Sequence, residues 1–376
     1  MARKKIEVED MITHVLDETT SVTEKSVEDK VELAKKASQQ INKKYGPGTI
    51  TIGMDPVERI PTNLACFDLL TRQFDKEGNL LNYGLARGQY TMIWGNSDVG
   101  KSCLTYAIAR ELQKYAPILF TDAERKFDRV WAQANGVDTD NLHFSRPDSM
   151  EDYLNTLISI SNAAIEQETE IPYSLNIVDS VVSVASEGEM HSKDGKERTM
   201  EDNTIAIQPR TLSQFFRVAT GKLSKGKVST ILLNQIRIAG IGGYRTYEDF
   251  PGGNALRHYC HHIIRAYRSQ TKEKSQPDLG LIPSHDVRLK VTKGINETTE
   301  TSTTFFAECG FENTYDLMKQ LITYGLIEKS QQGRYAVEGE EDSYFLKDMY
   351  LKIEDNYDAL YMKLMNTKRV PKTVED

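Results

Sequence analysis

The chain has 376 residues, is 39% hydrophobic and 27% charged, and carries a formal net charge of −8. This length supports one large core with small satellites, and the acidic balance excludes indiscriminate nucleic-acid binding through bulk charge. No apolar run is long enough to span a bilayer, no apolar segment follows the charged N-terminus as a secretion signal requires, and Cys66, Cys103, Cys260 and Cys309 form no C-x-x-C pair, so reduced thiols in a cytoplasmic setting are expected.

Residues 1–25 read as a polar leader. Ser26-Val-Glu-Asp29 has the form of a capping box opening a helix with Val27, Val31, Ala34 and Ile41 on one face, closed by Gly46-Pro47-Gly48. Thr49–Ile52 alternates as a short strand. So small a helix and strand bury little alone, so they are expected to dock on their own core or on a neighbouring subunit. Residues 73–83 read as a surface excursion.

Tyr90–Trp94 then has strand character and runs directly into Gly95-Asn96-Ser97-Asp98-Val99-Gly100-Lys101-Ser102, with a helix from Cys103 to Gln113. This is G-x-x-x-x-G-K-S in the setting it requires, between a buried strand and a helix N-terminus. The two glycines let successive N–H groups face phosphate oxygens, and the helix dipole adds positive potential there. Lys101 is placed to reach the β and γ phosphates, and the Ser102 hydroxyl to ligate magnesium. The expected ligands of Gly95–Cys103 are therefore ATP, or a related triphosphate, and Mg2+.

Beyond this motif, short apolar strands (118–121, 175–178, 230–233) alternate with helices near 130–134, 150–165 and 211–223, which predicts a parallel sheet covered on both faces. Arg288–Thr292 and Thr303–Ala307 predict an antiparallel hairpin continuing that sheet. After about residue 312 the pattern is helical, with strand-like Arg334–Val337. Residues 338–358 hold eight acids against two lysines, a solvated acidic face. Segments 187–207 and 236–253 lack periodicity and read as long functional loops.

The strand end at Asp179 offers a second acid for the magnesium shell. Asp122 and Glu124, both at the end of the strand after the phosphate-loop helix, are alternatives for orienting or deprotonating water, since parallel strands deliver their C-terminal ends to the ligand crevice. Gln235 ends another core strand where its amide could sense the γ-phosphate. Residues 225–274 hold nine Lys/Arg against three acids. In that belt the glycine-rich backbone and Arg237, Arg245 and Arg257 suit phosphate contacts, and Tyr244 or Tyr247 suits stacking on single-stranded bases. His258-Tyr-Cys260-His261-His262 offers metal-type ligands, with His258 and His262 spaced for one helix face, but further ligands do not cluster near it.

Across roughly residues 33–335 the chain resembles the bacterial RecA recombinases. Ile41-Asn-Lys-Lys-Tyr-Gly-Pro-Gly-Thr-Ile50 is similar to that family's subunit linker, Asp122-Ala-Glu124 to its D-A-E, and Val178-Asp179-Ser180-Val181 to its V-D-S-V. Asn234-Gln235-Ile236-Arg237 and Gly252-Gly253-Asn254-Ala255-Leu256 flank its second DNA-binding loop at the family's spacing. The resemblance implies that Glu124 activates water, Gln235 couples the γ-phosphate to the following loop, and Trp131, beside Asp128, stacks on adenine. It further implies DNA contacts at Arg210, Ser213 and Arg217, at Arg237, and along the Gly252-Gly253-Asn254 backbone, with Lys293 reaching ATP across a subunit interface. Departures are the middle of the phosphate loop, with its acid Asp98, and Ile295 in place of a second interface lysine.

The expected architecture is α/β: a P-loop NTPase core at 61–312 with DNA-binding loops near 187–209 and 237–253, a helix-strand linker within 1–60, and a small α+β C-terminal domain at 313–376. The expected function is an ATP-dependent recombinase that filaments on single-stranded DNA and pairs it with homologous double-stranded DNA. A ring-forming helicase of the same fold and a weakly hydrolysing nucleotide-switch DNA-binding protein are the competing readings.

Overall fold

The computed structural model describes residues 27–46, 50, 56–166, 174–192, 194–199, 207–239, 246–269, 279–294, 298–369 and 371. The capping-box serine and the expected strand at 49–52, apart from Ile50, lie outside the described residues. Residues 1–56 and 57–376 are two separate compact units. In the first, a helix spans Val27–Tyr45, with Glu28 and Asp29 in its first turn and Lys43 and Lys44 in its last, as the helix dipole favours. The Asn42 side chain bonds both the N–H and the carbonyl of Ile50, each at 2.7 Å. None of this helix's side chains is buried.

The second unit is built on an eight-stranded sheet, numbered here in chain order: β1 Tyr90–Gly95, β2 Ile118–Asp122, β3 His143–Ser145, β4 Ser174–Asp179, β5 Val228–Gln235, β6 Cys260–Ser269, β7 Pro283–Lys293 and β8 Glu300–Phe306. Its spatial order is β8-β7-β6-β1-β5-β4-β2-β3. The strands from β6 to β3 are mutually parallel, while β7 and β8 add the expected antiparallel hairpin.

Helices cover both faces, and strand alternation divides the core between them. Ile93, Phe120, Ile177, Ile231 and Leu233 pack with the helix Lys101–Leu112. Met92, Trp94, Val178 and Leu232 face the opposite way, toward the helices Met150–Glu166 and Ile207–Gly226. A third cluster joins Ala65 and Leu69 of the helix Ala65–Thr71 to apolar residues of the helices Asn313–Thr323, Leu346–Asp355 and Tyr357–Asn366.

Three local expectations are corrected. The excursion at 73–83 is a β-ribbon, with Gln73–Phe74 paired antiparallel to Leu80–Asn82. The loop after Gln235 is not structureless: Arg237–Ala239 pairs with Tyr247–Asp249. His258 and His262 do not share a helix face, because the helix Asn254–Tyr259 ends before Cys260 and His262 lies in β6. The run from Cys260 to Tyr267 is half-buried to buried and pairs on both edges, so burial of its apolar positions overrides the helical spacing of the histidines.

Asp68 is fully buried among these elements, with its carboxyl hydrogen-bonded by Thr62 and Tyr361. Burial pushes it up to about 7 despite those bonds. The folded chain thus holds this proton more tightly than the unfolded chain. The resulting stability is complete below about pH 4 and is lost as pH rises through about 7. Asp68→Asn is expected to remove that loss: its stability relative to the parent should climb from pH 4 to pH 7 by on the order of a few kcal/mol, and its melting temperature with it. A difference independent of pH in thermal melts would contradict this.

Candidate functional site: the phosphate loop and the strand ends around it

The phosphate loop leaves β1 at Gly95, where a Cβ would stand 2.0 Å from the Ala266 carbonyl oxygen of the adjacent β6. Only glycine permits that approach. Asp98 and Gly100 adopt positive φ (59° and 91°), and a side chain on Gly100 would press on Phe305 at 3.1 Å. Asn96, Ser97 and Asp98 are exposed, while Val99 is fully buried and anchors the loop from below. The helix then starts at Lys101 with no side-chain cap, so its first N–H groups are available to an anion. Lys101 Nζ donates to the carbonyls of Gly95 (3.1 Å) and Asn96 (2.7 Å), curling over the loop. Burial lowers its pKa, and the charges of Asp179, Glu124 and Asp98 oppose that shift.

Around this loop the strand ends converge. Ser102 Oγ donates to Asp179 Oδ2 at 2.6 Å, so a hydroxyl and a carboxylate already share one small volume. Asp179 is pushed up to about 6, chiefly by burial. The Glu124 N–H donates to the Asp179 carbonyl (3.0 Å), which places the Glu124 side chain over the same crevice. Glu124 Oε1 accepts from Gln235 Nε2 (2.7 Å), Ser180 Oγ (2.9 Å) and Ser183 Oγ (3.1 Å), and Oε2 accepts from Lys126 Nζ (3.1 Å). Burial alone would raise this carboxyl; the four hydrogen bonds outweigh it and hold it below the ordinary range, so it is ionised at neutral pH. Gln235 is in register with Gly95 across the β1–β5 pair.

Asp122 does not share this environment. Its carboxylate, 2% exposed as a residue, accepts from the backbone N–H groups of Lys126 and Phe127 and from Arg146 Nε. It shapes the turn that carries Glu124. Ser180, Ser183 and Lys126, which hold Glu124, were not singled out from sequence. Ser180 lies in the V-D-S-V stretch, but a serine beside a strand end carries no other signal.

Trp131 is half-buried, donating from Nε1 to the sulfur of buried Cys103 (3.1 Å). Asp128 is the N-cap of the helix Arg129–Ala134 and accepts from the Trp131 N–H (3.0 Å), so it orients the indole through the backbone.

Toward the glycine-flanked loop, Arg210, Ser213 and Arg217 lie along the helix Ile207–Gly226, with both arginines exposed. Arg237 is exposed at the start of the ribbon, in register with Asp249. Tyr244 and Arg245 lie outside the described residues. Gly252 and Gly253 have positive φ (101° and 74°), and a Cβ on Gly252 would meet Leu256, Leu212 and Val182 side chains from 2.5 Å. Asn254 opens the next helix and is exposed. Asn234 Nδ2 donates to the Pro251 carbonyl (3.0 Å), tying the end of β5 to the return of the loop. Part of the basic belt is neutralised at the ribbon's base, where Arg257 pairs with Asp249 and Arg265 with Glu248.

Lys293 is not brought to this chain's own phosphate loop. It is in register with Ile263, which pairs with Met92, about 10 Å along the sheet from Gly95. Its Nζ donates to the carbonyls of Arg257 (2.7 Å) and His258 (2.8 Å) at the opposite end of the strands.

The described residues contain no helix long and apolar enough to cross a membrane. Comparison with known proteins gives a match to the family of the RecA N-terminal domain over residues 32–303. Protein RecA of Symbiobacterium thermophilum is 32% identical over 264 residues, 68% of each chain. Protein RecA of Campylobacter lari is 33% identical over 264 residues, covering 68% of this chain and 69% of the relative. With the phosphate loop, the strand-end acids and the mostly parallel sheet in the order described, the chain belongs to the RecA family.

Proposed function

We propose that this chain is an ATP-dependent DNA recombinase that assembles as a helical filament on single-stranded DNA and pairs it with homologous double-stranded DNA. The observation that carries this reading is the 2.7 Å bond from Gln235 Nε2 to Glu124 Oε1. It links the carboxylate best placed to activate water to the strand that leads, one residue later, into the Arg237–Ala239 ribbon and the glycine-flanked loop. One side chain thus belongs to both the hydrolytic crevice and the DNA-facing loop.

In this reading Lys101 and the N–H groups of the loop and first helical turn, from Gly95 through Cys103, hold the triphosphate, and Trp131, positioned by Asp128, packs against the base. The residues present fit magnesium, because Ser102 Oγ and Asp179 Oδ2, 2.6 Å apart, are near the separation of adjacent oxygen ligands on one octahedral ion. Bound there, the metal would neutralise charge developing on the phosphates. Arg210, Ser213, Arg217, Arg237 and the Gly252–Asn254 backbone serve the DNA phosphates, with Tyr244 and Arg245 in the loop between. The exposed helix Val27–Tyr45, with Val27 and Val31 uncovered, suits a second copy of the chain, and a head-to-tail contact of that kind gives a filament when it does not close. Lys293, far from its own phosphate loop, would serve the nucleotide of that copy.

Single-stranded DNA is expected to stimulate ATP hydrolysis at least about tenfold, with extended filaments visible by negative stain in ATP and DNA. Hydrolysis indifferent to DNA would overturn the recombinase reading, and closed rings in place of filaments would favour a helicase.

A further inference from the structure

The turn that carries Glu124 also carries a cation, Lys126. Asp122 pins this turn from within: Oδ1 accepts from the Lys126 N–H (3.0 Å) and Oδ2 from the Phe127 N–H (3.2 Å). Arg125 takes positive φ (56°), and its guanidinium reaches outward to the exposed Asp148. The Phe127 ring packs against Tyr106, Phe120 and Phe144. With both neighbours so fixed, Lys126 is left on the crevice side, where its Nζ lies 3.1 Å from Glu124 Oε2. The two oxygens of Glu124 are used differently. Oε1 takes the uncharged donors Gln235, Ser180 and Ser183, and Oε2 takes Lys126. The Lys126 side chain is 76% exposed, and an ion pair so open to water adds little to stability. An ammonium has three protons, and one of them meets Glu124, so two remain for a ligand in the crevice.

After Glu124, the charges that act on Lys126 are those of Asp179, beside the Ser102 hydroxyl, and Asp98, in the phosphate loop. The same three carboxylates act on Lys101. Two lysines therefore look onto one acidic crevice from different elements, Lys101 from the helix start and Lys126 from the turn after β2. We propose that Lys126 is a catalytic residue of this chain's own site, keeping one proton on Glu124 Oε2 and giving the other two to γ-phosphate oxygens. The inference deepens the nucleotide reading above and rests on it. A water that replaces Gln235 on Oε1 then stands between a carboxylate and a phosphate whose mutual repulsion one ammonium offsets. The water oxygen bonds to the γ-phosphorus as the bond from that phosphorus to the β–γ bridging oxygen breaks. ADP leaves with the electron pair of the broken bond. The water proton passes to Glu124 and then to solvent, and Lys126 keeps its own protons throughout. ADP offers those protons nothing to reach, which makes the contact measurable without turnover.

The test titrates the full chain calorimetrically, with magnesium, using ADP and an imido-bridged, non-hydrolysable ATP analogue. Lys126→Gln should weaken binding of the analogue about tenfold and of ADP less than about twofold. Lys126→Arg, which keeps the charge and the donors, should recover most of that discrimination. Arg125→Gln removes the same charge one residue away on the outward side, and should leave the ratio of the two affinities within about twofold of the parent. In basal hydrolysis, without DNA, Lys126→Gln should lower kcat about 10–100-fold. An unchanged affinity ratio, an equal loss for both nucleotides, the same loss in Arg125→Gln, or an unchanged kcat each overturns the role. The binding arm needs neither DNA nor turnover. A parent whose hydrolysis ignores DNA would thus end the recombinase reading and leave Lys126 standing, whereas a parent that binds neither nucleotide overturns both.

Discussion

Glu124→Gln is expected to lower the DNA-stimulated rate of ATP hydrolysis by about 10²–10⁴-fold while leaving ATP and DNA binding intact. The substitution changes little in shape. A glutamine carbonyl at Oε1 can still accept from Ser180, Ser183 and Gln235, so the crevice keeps its geometry. What it loses is the negative charge and the ability to take a proton from water. The native carboxylate sits below the ordinary range because four donors stabilise it, which makes it ionised but weakly basic as it stands. A water positioned for attack must displace one of those donors, and the loss of that bond raises the basicity of the carboxylate when it is needed. Steady-state ATPase assays, run beside filter or anisotropy measurements of ATP-dependent DNA affinity, separate the two functions. Retention of hydrolysis within about threefold would remove Glu124 from the chemistry. Asp122 is a poor substitute, since backbone N–H groups and Arg146 already hold it.

The donor most suited to be displaced is Gln235, and its replacement tests the coupling. Gln235→Ala should abolish the difference in single-stranded DNA affinity between the ATP and ADP states, a loss of about 5–150-fold in discrimination, while basal hydrolysis changes little. The reason lies in connectivity. β5 ends at Gln235, the ribbon starts at Arg237, and Asn234 clamps the far side of the loop through the Pro251 carbonyl. A shift of the Gln235 side chain toward a γ-phosphate therefore acts on both ends of one loop, whereas alanine has nothing to shift. DNA affinities measured with ATP and with ADP would decide the matter. A variant that still distinguishes the two nucleotides would place the coupling elsewhere, and the loop would then be read as a DNA contact without a switch.

The fold class was legible because its signals are local and redundant. Continuous apolar strands, the G-x-x-x-x-G-K-S turn and the intervening helices each report burial over a few consecutive residues, and each names the same sheet. β6 escaped notice because its histidines obscured the alternation, and the ribbon at Arg237 because glycine-rich sequence reads as loop whether or not its ends pair. The Asp122 or Glu124 alternative could not be decided from residue type and spacing, since both are acids on one strand end. The structure shows one difference between them: the following turn consumes the Asp122 carboxylate as a hydrogen-bond acceptor.

What the sequence by itself determined is which particular residue types stand at fixed short spacing as candidates for the site. These are the phosphate loop from Gly95 to Ser102, the acid at Asp179, the amide at Gln235 and the glycine pair at 252–253. What only the tertiary structure decided are the meetings between distant segments. Glu124 is held by Ser180, Ser183 and Gln235, Trp131 by Cys103, and Arg59 stands against two histidines some two hundred residues away. Such contacts arise from strand order and register, which are set by burial of the whole sheet and leave no periodic trace in the chain.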